Sequence, residues 1–218
     1  MEPVLHVVSD RHRHTLPLPE ALALAAQGGA HVLQIREKKA PAAEVYDLCL
    51  EVRARCEEAG VRPKLFVNDR IDIAIAIGAD GVHLAAKSLP VAVVRRIAKE
   101  SGWPGVIGCS VHSLEEAVAA EAAGADYVTF GHVYASESHP GVPPRGVYAL
   151  RRVVEAVNIP VIAIGGIDHT NVSAVLATGC RGVAVIGAVL NQPDPRAAAA
   201  RIVAQMRAER GRPDEPGI

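Results

Sequence analysis

Three long hydrogen-bonding side chains alternate in the run Gln34-Ile35-Arg36-Glu37-Lys38. In an extended strand alternate residues share a face, so Gln34, Arg36 and Lys38 converge while Ile35 and Glu37 point the other way. An arginine at the dry end of a strand needs a negative partner, which an anionic ligand would supply. Three other apolar runs end in polar groups suited to chemistry: Asn68-Asp69-Arg70, Cys109-Ser110-Val111-His112 and Phe130-Gly131-His132. Asn68 and Ser110 offer hydrogen bonds to a substrate. His132 follows a glycine at the end of its run; its imidazole can take up and release a proton near neutral pH, which makes it the candidate catalytic group. His6, His31 and His83 lie in or beside apolar runs and read as packing residues. Two further runs end in glycine turns, Ile164-Gly165-Gly166 and Ile186-Gly187-Ala188. A backbone without Cβ atoms can come close to an anion, so the N–H groups of Gly165, Gly166, Ile186 and Gly187 are candidates to bind phosphate. One such turn alone reads as a tight bend; two at neighbouring strand ends suggest a cup.

These groups can meet only if their runs are neighbours in one sheet. Short β-branched runs recur at 4–8, 32–35, 65–67, 81–84, 105–109, 127–130, 161–164 and 183–186. Longer segments follow them, and 42–59 and 114–123 carry helical apolar spacing. Ser113-Leu114-Glu115-Glu116 fits a capping box, and Pro195-Arg196-Ala197 opens a closing helix. Eight strand-then-helix units with continuously apolar strands predict a single (β/α)₈ TIM barrel of the α/β class, whose sites gather at the carboxyl ends of the strands. An open doubly wound sheet shares the alternation but would carry a glycine-rich turn after its first strand, where this chain has Ser9-Asp10-Arg11-His12. One domain over residues 1–210 is expected, with a flexible tail over 211–218.

The balance of 23 Lys plus Arg against 24 Asp plus Glu, with the basic residues dispersed, argues against nucleic acid as a partner. No apolar stretch is long enough for a membrane span, and no basic leader opens the chain. Cys49, Cys56, Cys109 and Cys180 form neither a CxxC pair nor a disulfide framework, so the sequence points to the cytoplasm. Asp69 could ligate a cation, but the stretch His83-Leu84-Ala85-Ala86-Lys87-Ser88 offers no second carboxylate, so neither a metal nor another cofactor is expected. Barrels of this type are often dimers, which leaves a homodimer open.

Several of these segments together resemble the thiamine phosphate synthase superfamily from residue 5 to about 190: Leu33-Gln34-Ile35-Arg36-Glu37-Lys38, Val67-Asn68-Asp69-Arg70, Gly78-Ala79-Asp80-Gly81-Val82-His83-Leu84, Gly124-Ala125-Asp126-Tyr127 and Ile162-Ala163-Ile164-Gly165-Gly166-Ile167. The resemblance has two departures. Where the synthases carry Gly-Gln and then an acidic residue that helps bind magnesium and pyrophosphate, this chain has Ala85-Ala86-Lys87-Ser88. After Gly131-His132-Val133-Tyr134 it lacks their lysine-bearing loop. Both departures, with Ser110-Val111-His112-Ser113-Leu114-Glu115-Glu116-Ala117 and Phe130-Gly131-His132-Val133, make the chain similar to the thiazole tautomerases of the same superfamily. That branch implies an isomerase that aromatises a carboxythiazole phosphate by proton transfer. His132 would be the proton carrier, Arg36 and Lys38 would face the carboxylate, and a small phosphorylated thiazole would be the substrate. The alternatives are the synthase reaction itself, a magnesium-dependent transfer, and a non-catalytic barrel sensing a thiamine-related phosphate.

Overall fold

The computed structural model describes residues 2–12, 14–138 and 140–210; the tail expected over 211–218 lies outside them. Eight parallel strands close into a barrel in chain order, β8 pairing back with β1. They are β1 (Val4–Val8), β2 (Val32–Ile35), β3 (Lys64–Asn68), β4 (Gly81–Leu84), β5 (Val106–Val111), β6 (Tyr127–Gly131), β7 (Val161–Ile164) and β8 (Gly182–Val185). The helices are α1 (Leu18–Gln27), α2 (Ala42–Glu58), α3 (Ile71–Ala76), α4 (Val91–Ser101), α5 (Leu114–Ala122), α6 (Gly146–Ala156), α7 (Val172–Leu176), α8 (Gly187–Leu190) and α9 (Pro195–Arg210). The chain is thus the single (β/α)₈ barrel that the alternation predicts. No helix among the described residues is long and apolar enough to cross a membrane.

Three strands run further than their apolar residues. β3 ends on Asn68, which pairs with His83, and β5 and β6 continue through the pair Ser110 and Thr129 to the pair Val111 and Phe130. Register with a neighbour keeps a polar residue in the ladder that hydrophobicity alone would leave out. β8 stops a residue earlier than expected, because Ile186 leaves the strand with ψ −88° to cap α8.

Period-2 alternation divides the strand residues between two cores. Inside the barrel, Val8, Val32, Phe66, Tyr127, Ile162 and Ala184 pack together. The other strand face meets the helices through Leu5, Leu33, Val67, Ile107, Val128 and their neighbours. His6 belongs to the inner layer, edge-on to Phe66 and Tyr127 with ring centroids 5.8 Å away in each case. Burial pushes its pKa down to about 3, so it is a neutral packing residue. His31 accepts from the Leu5 N–H at 3.1 Å and holds the start of β1.

Candidate active site

The inward positions at the carboxyl ends of the strands open into a cleft of about 960 Å³. Its wall includes Gln34, Arg36 and Lys38 beyond β2, Asn68 on β3, Ser110 on β5 and His132 after β6, together with Gly165, Gly166, Ile186 and Gly187. Gln34 Nε2 donates to Asn68 Oδ1 at 3.3 Å, locking two amides side by side across adjacent strands. Just beyond β2 the buried Glu37, which also borders the cleft although alternation puts it on the other face, accepts from Ser9 Oγ at 2.6 Å and from Arg11 Nε at 2.9 Å. Ser9 Oγ in turn accepts from the Arg36 N–H at 2.7 Å. This bracket fixes the backbone just beyond β2 and keeps Arg36 and Lys38 on the cleft side. Lys38 is held below the ordinary lysine value, first by Arg36, then by partial burial and by Lys87. Three cations therefore repel one another in this part of the cleft, a field that favours an anion.

The glycine turns lie at the ends of β7 and β8. Gly165 has φ 101° and Gly166 φ 64°, which side chains rarely adopt. A Cβ on Gly165 would lie 2.3 Å from His132 Cβ, and one on Gly166 would lie 2.4 Å from the Ala135 carbonyl oxygen. Both glycines are therefore required by the close approach of the loop after β6, a packing reason that the sequence does not reveal. The loop is pinned in turn by Val133 N–H to Ile164 O at 2.9 Å and Tyr134 N–H to Gly165 O at 3.0 Å. Among the described residues no acceptor meets the N–H groups of Gly165, Gly166, Ile186 or Gly187, all on the cleft wall. Main-chain donors left without partners are suited to an anion.

His132 is buried at 4% exposure, and its Nε2 donates to the Val142 carbonyl oxygen at 3.1 Å. His112 Nδ1 and Arg145 Nε both meet the carbonyl oxygen of Gly131, at 2.9 and 3.0 Å, so the turn before His132 is clamped from two sides. Ser113 caps α5 as expected, accepting from Glu116 N–H at 3.1 Å, but the Glu116 carboxylate accepts from His112 N–H at 2.6 Å rather than from Ser113. The cap thus also fixes the backbone of His112.

The apolar run around His83 predicts a packing residue, and the structure corrects that. It bridges Tyr127 Oη, 2.9 Å from its Nδ1, and Ser110 Oγ, 2.8 Å from its Nε2, and is itself part of the cleft wall. Alternation along β4 puts His83 on the inward face; its two partners follow only from the register with β5 and β6.

Residues 5–189 match the thiamine monophosphate synthase family (TMP-TENI). The chain belongs to that family. It is 42% identical over 194 residues to the thiamine-phosphate synthase of Pyrococcus horikoshii, covering 89% of this chain and 90% of that one. It is 44% identical over 194 residues to the thiamine biosynthesis bifunctional protein ThiM/ThiE of Symbiobacterium thermophilum, spanning 88% of this chain but 39% of that longer protein. The solved structure of thiamine phosphate pyrophosphorylase from Pyrococcus furiosus superposes with a TM-score of 0.85 at 39% identity, covering 95% of this chain and 97% of that one.

Similarity to thiamine-phosphate synthases across nearly the whole barrel overturns the isomerase reading. The tautomerase resemblance rests on two loop departures, at 85–88 and 131–139, and on two short segments, Ser110–Ala117 and Phe130–Val133. Loops change more readily than the scaffold that carries them, so they weigh less than the barrel-wide match. With the isomerase goes the need for a proton carrier, and with it that argument for His132.

A family transferase raises the question of magnesium. Among the described residues no group of three or more His, Cys, Asp or Glu side chains could hold a metal. Of the four carboxylates that the described residues place on the cleft wall, Glu37 is taken by Ser9 and Arg11, Asp168 by the Thr170 hydroxyl and N–H at 2.6 and 2.7 Å, and Glu137 belongs to the loop after β6. Asp69 lies on the same wall as Arg36, Lys38, Arg70 and Lys87, and the loop after β4 supplies Lys87 instead of a second acid. This donor set does not fit a magnesium centre built by the protein.

Proposed function

We propose that this family member is a transferase that joins a pyrimidine diphosphate to a thiazole phosphate, forming thiamine phosphate. The observation that carries the reading is a single cleft lined by two different kinds of group suited to anions. Arg36, Lys38 and Lys87 bring side-chain charge near β2 and β4, while Gly165, Gly166, Ile186 and Gly187 bring backbone donors at β7 and β8. Two phosphorylated substrates bound across one barrel mouth would bring their reacting rings together between these sites.

The reaction is a displacement. The thiazole nitrogen forms a new C–N bond to the pyrimidine's methylene carbon as the C–O bond to the diphosphate breaks, and the diphosphate leaves with the electron pair. Negative charge grows on the leaving group, and Arg36, Lys38 and Lys87 stand where they would stabilise it in place of a metal ion. Gln34 and Asn68, fixed by their mutual hydrogen bond, orient the substrate; the backbone cup holds the thiazole phosphate. His132 acts in this reading as a positioning residue, tying the loop after β6 through Val142. The four cysteines are free thiols, which suits a reducing compartment and supports the cytoplasm as its place.

The test is direct: the full chain is incubated with both substrates, with and without magnesium. Thiamine phosphate and inorganic pyrophosphate in equal amounts support the proposal. Neither product under either condition would overturn it.

A further inference from the structure

At the cleft wall, His83, Thr129 and Ser110 form a connected polar group with Tyr127 behind them. Tyr127, His83 and Thr129 are buried, at 6%, 3% and 3% exposure; His83, Thr129 and Ser110 border the cleft, and Ser110 is the one of these that is only partly buried. Tyr127 Oη lies 2.9 Å from His83 Nδ1; His83 Nε2 lies 2.8 Å from Ser110 Oγ and 3.3 Å from Thr129 Oγ1; Thr129 Oγ1 lies 3.3 Å from Ser110 Oγ.

The direction of each proton follows from counting donors and acceptors. The imidazole is neutral: burial first, then the nearby Arg36 charge, push its pKa down to about 4. His6, also neutral, is the other titratable ring whose field it shares. A neutral imidazole has one N–H and one bare nitrogen. The Tyr127 hydroxyl, buried among apolar side chains, has the His83 Nδ1 atom as its partner among the described residues, and it retains its proton because burial raises its pKa. If Nδ1 carried the hydrogen, the Tyr127 O–H would be buried with no acceptor, an arrangement folded proteins avoid. Tyr127 therefore donates to Nδ1, and the His83 hydrogen is on Nε2, pointing at Ser110. Ser110 Oγ accepts that hydrogen and a second one from Thr129. Its own hydrogen is left to turn toward the cleft.

We propose that Tyr127 and His83 are positioning residues that fix the Ser110 hydroxyl as a one-way hydrogen-bond donor to an anionic oxygen of the diphosphate held beside Arg36. The inference rests on the proposed transferase reading of the cleft. It also gives Ser110 a defined role: with His83 donating to it rather than accepting from it, Ser110 is no activated nucleophile.

The experiment uses the full chain, histidine labelled with ¹⁵N, and inorganic pyrophosphate as the probe. Long-range ¹H–¹⁵N spectra near neutral pH are expected to show His83 as the Nε2–H tautomer. Tyr127→Phe, which removes the donor to Nδ1, is expected to give a mixture of tautomers and to weaken pyrophosphate binding about threefold to tenfold, the range for one hydrogen bond. In a Ser110→Ala background the same substitution is expected to leave binding unchanged, a non-additivity that a merely structural role would not produce. His83→Gln, which keeps an N–H near the Nε2 position, is expected to bind better than His83→Leu. An Nδ1–H tautomer in the wild type, or equal losses from Tyr127→Phe in both backgrounds, would overturn the inference. A wild type with the Nε2–H tautomer that makes thiamine phosphate but binds no pyrophosphate would overturn the assignment of the acceptor. The same protein making no thiamine phosphate would instead overturn the transferase reading.

Discussion

His132 Nε2 donates to the carbonyl oxygen of Val142 at 3.1 Å, and so ties the residue just past β6 to the loop that leads into α6. Because Ala135, Ser136, Glu137 and Ser138 of that loop line the cleft, the bond links the imidazole to the shape of the substrate site.

Replacing His132 by Ala is expected to raise KM for the thiazole phosphate about fivefold to tenfold, since one net hydrogen bond is worth about 1 kcal/mol, and to lower kcat less. Hydrogen exchange over residues 133–145 is expected to quicken in parallel. A large fall in kcat with unchanged KM and unchanged exchange would restore a chemical role to the imidazole.

Gly165→Ala would place a methyl group 2.3 Å from His132 Cβ at a backbone φ of 101°. Steric overlap and backbone strain together are expected to cost about 2–4 kcal/mol, read as a lower denaturation midpoint in urea with an unchanged m-value. Stability within about 0.5 kcal/mol of wild type would show that the loop after β6 is not packed as described.

The fold was legible because a (β/α)₈ barrel repeats one pattern eight times, and the β-branched runs give each strand independently of the others. Gln34, Arg36, Asn68 and Ser110 were legible for the same reason: period-2 alternation near a strand end says which face a side chain takes. His83 was not, because a histidine in an apolar strand looks the same whether it packs or bridges, and its bridge to Ser110 and Tyr127 depends on three strands in register. The close packing of Gly165 on His132 was equally hidden, being a contact between two loops. The reaction is not legible in the loops at 85–88 and 131–139 or in the short segments Ser110–Ala117 and Phe130–Val133, which point to an isomerase while the barrel as a whole matches synthases.

His6 and His83 give the protein a defined acid sensitivity. The unfolded chain protonates both imidazoles near pH 6.5, whereas the folded one does so only near pH 3 and 4. The unfolded state thus binds more protons across this window, and stability is lost as pH falls below about 6.5. Between pH 6 and 4 these two residues are expected to contribute a slope of up to about 2.7 kcal/mol per pH unit, twice the single-proton value. Urea titrations at a series of pH values measure it, and His6→Phe, if the ring is accommodated, is expected to remove about half. A flat profile would show that neither ring is buried neutral.

Arg36 and Lys87 both depress the Lys38 pKa, so Lys87→Ala is expected to raise it, as followed by ¹³C NMR of the lysine side chains. Arg36→Ala is expected to weaken pyrophosphate binding about tenfold to a hundredfold, the worth of hydrogen bonds to a charged group. Lys87→Asp is expected to lower the rate measured in EDTA and to make turnover respond to added magnesium. A wild type already inactive in EDTA would show that its own cations do not meet the charge of the leaving group.

The central claim is that one cleft holds two anions by different means, and a crystal structure of the protein soaked with thiazole phosphate and inorganic pyrophosphate tests it most directly. The account predicts the thiazole's phosphate within hydrogen-bond distance of the Gly165, Gly166 and Gly187 N–H groups, and pyrophosphate on Arg36 and Lys38, with its nearest oxygen reached by the Ser110 hydroxyl. Both molecules competing for one position, or the glycine amides turned away from any phosphate, would contradict it.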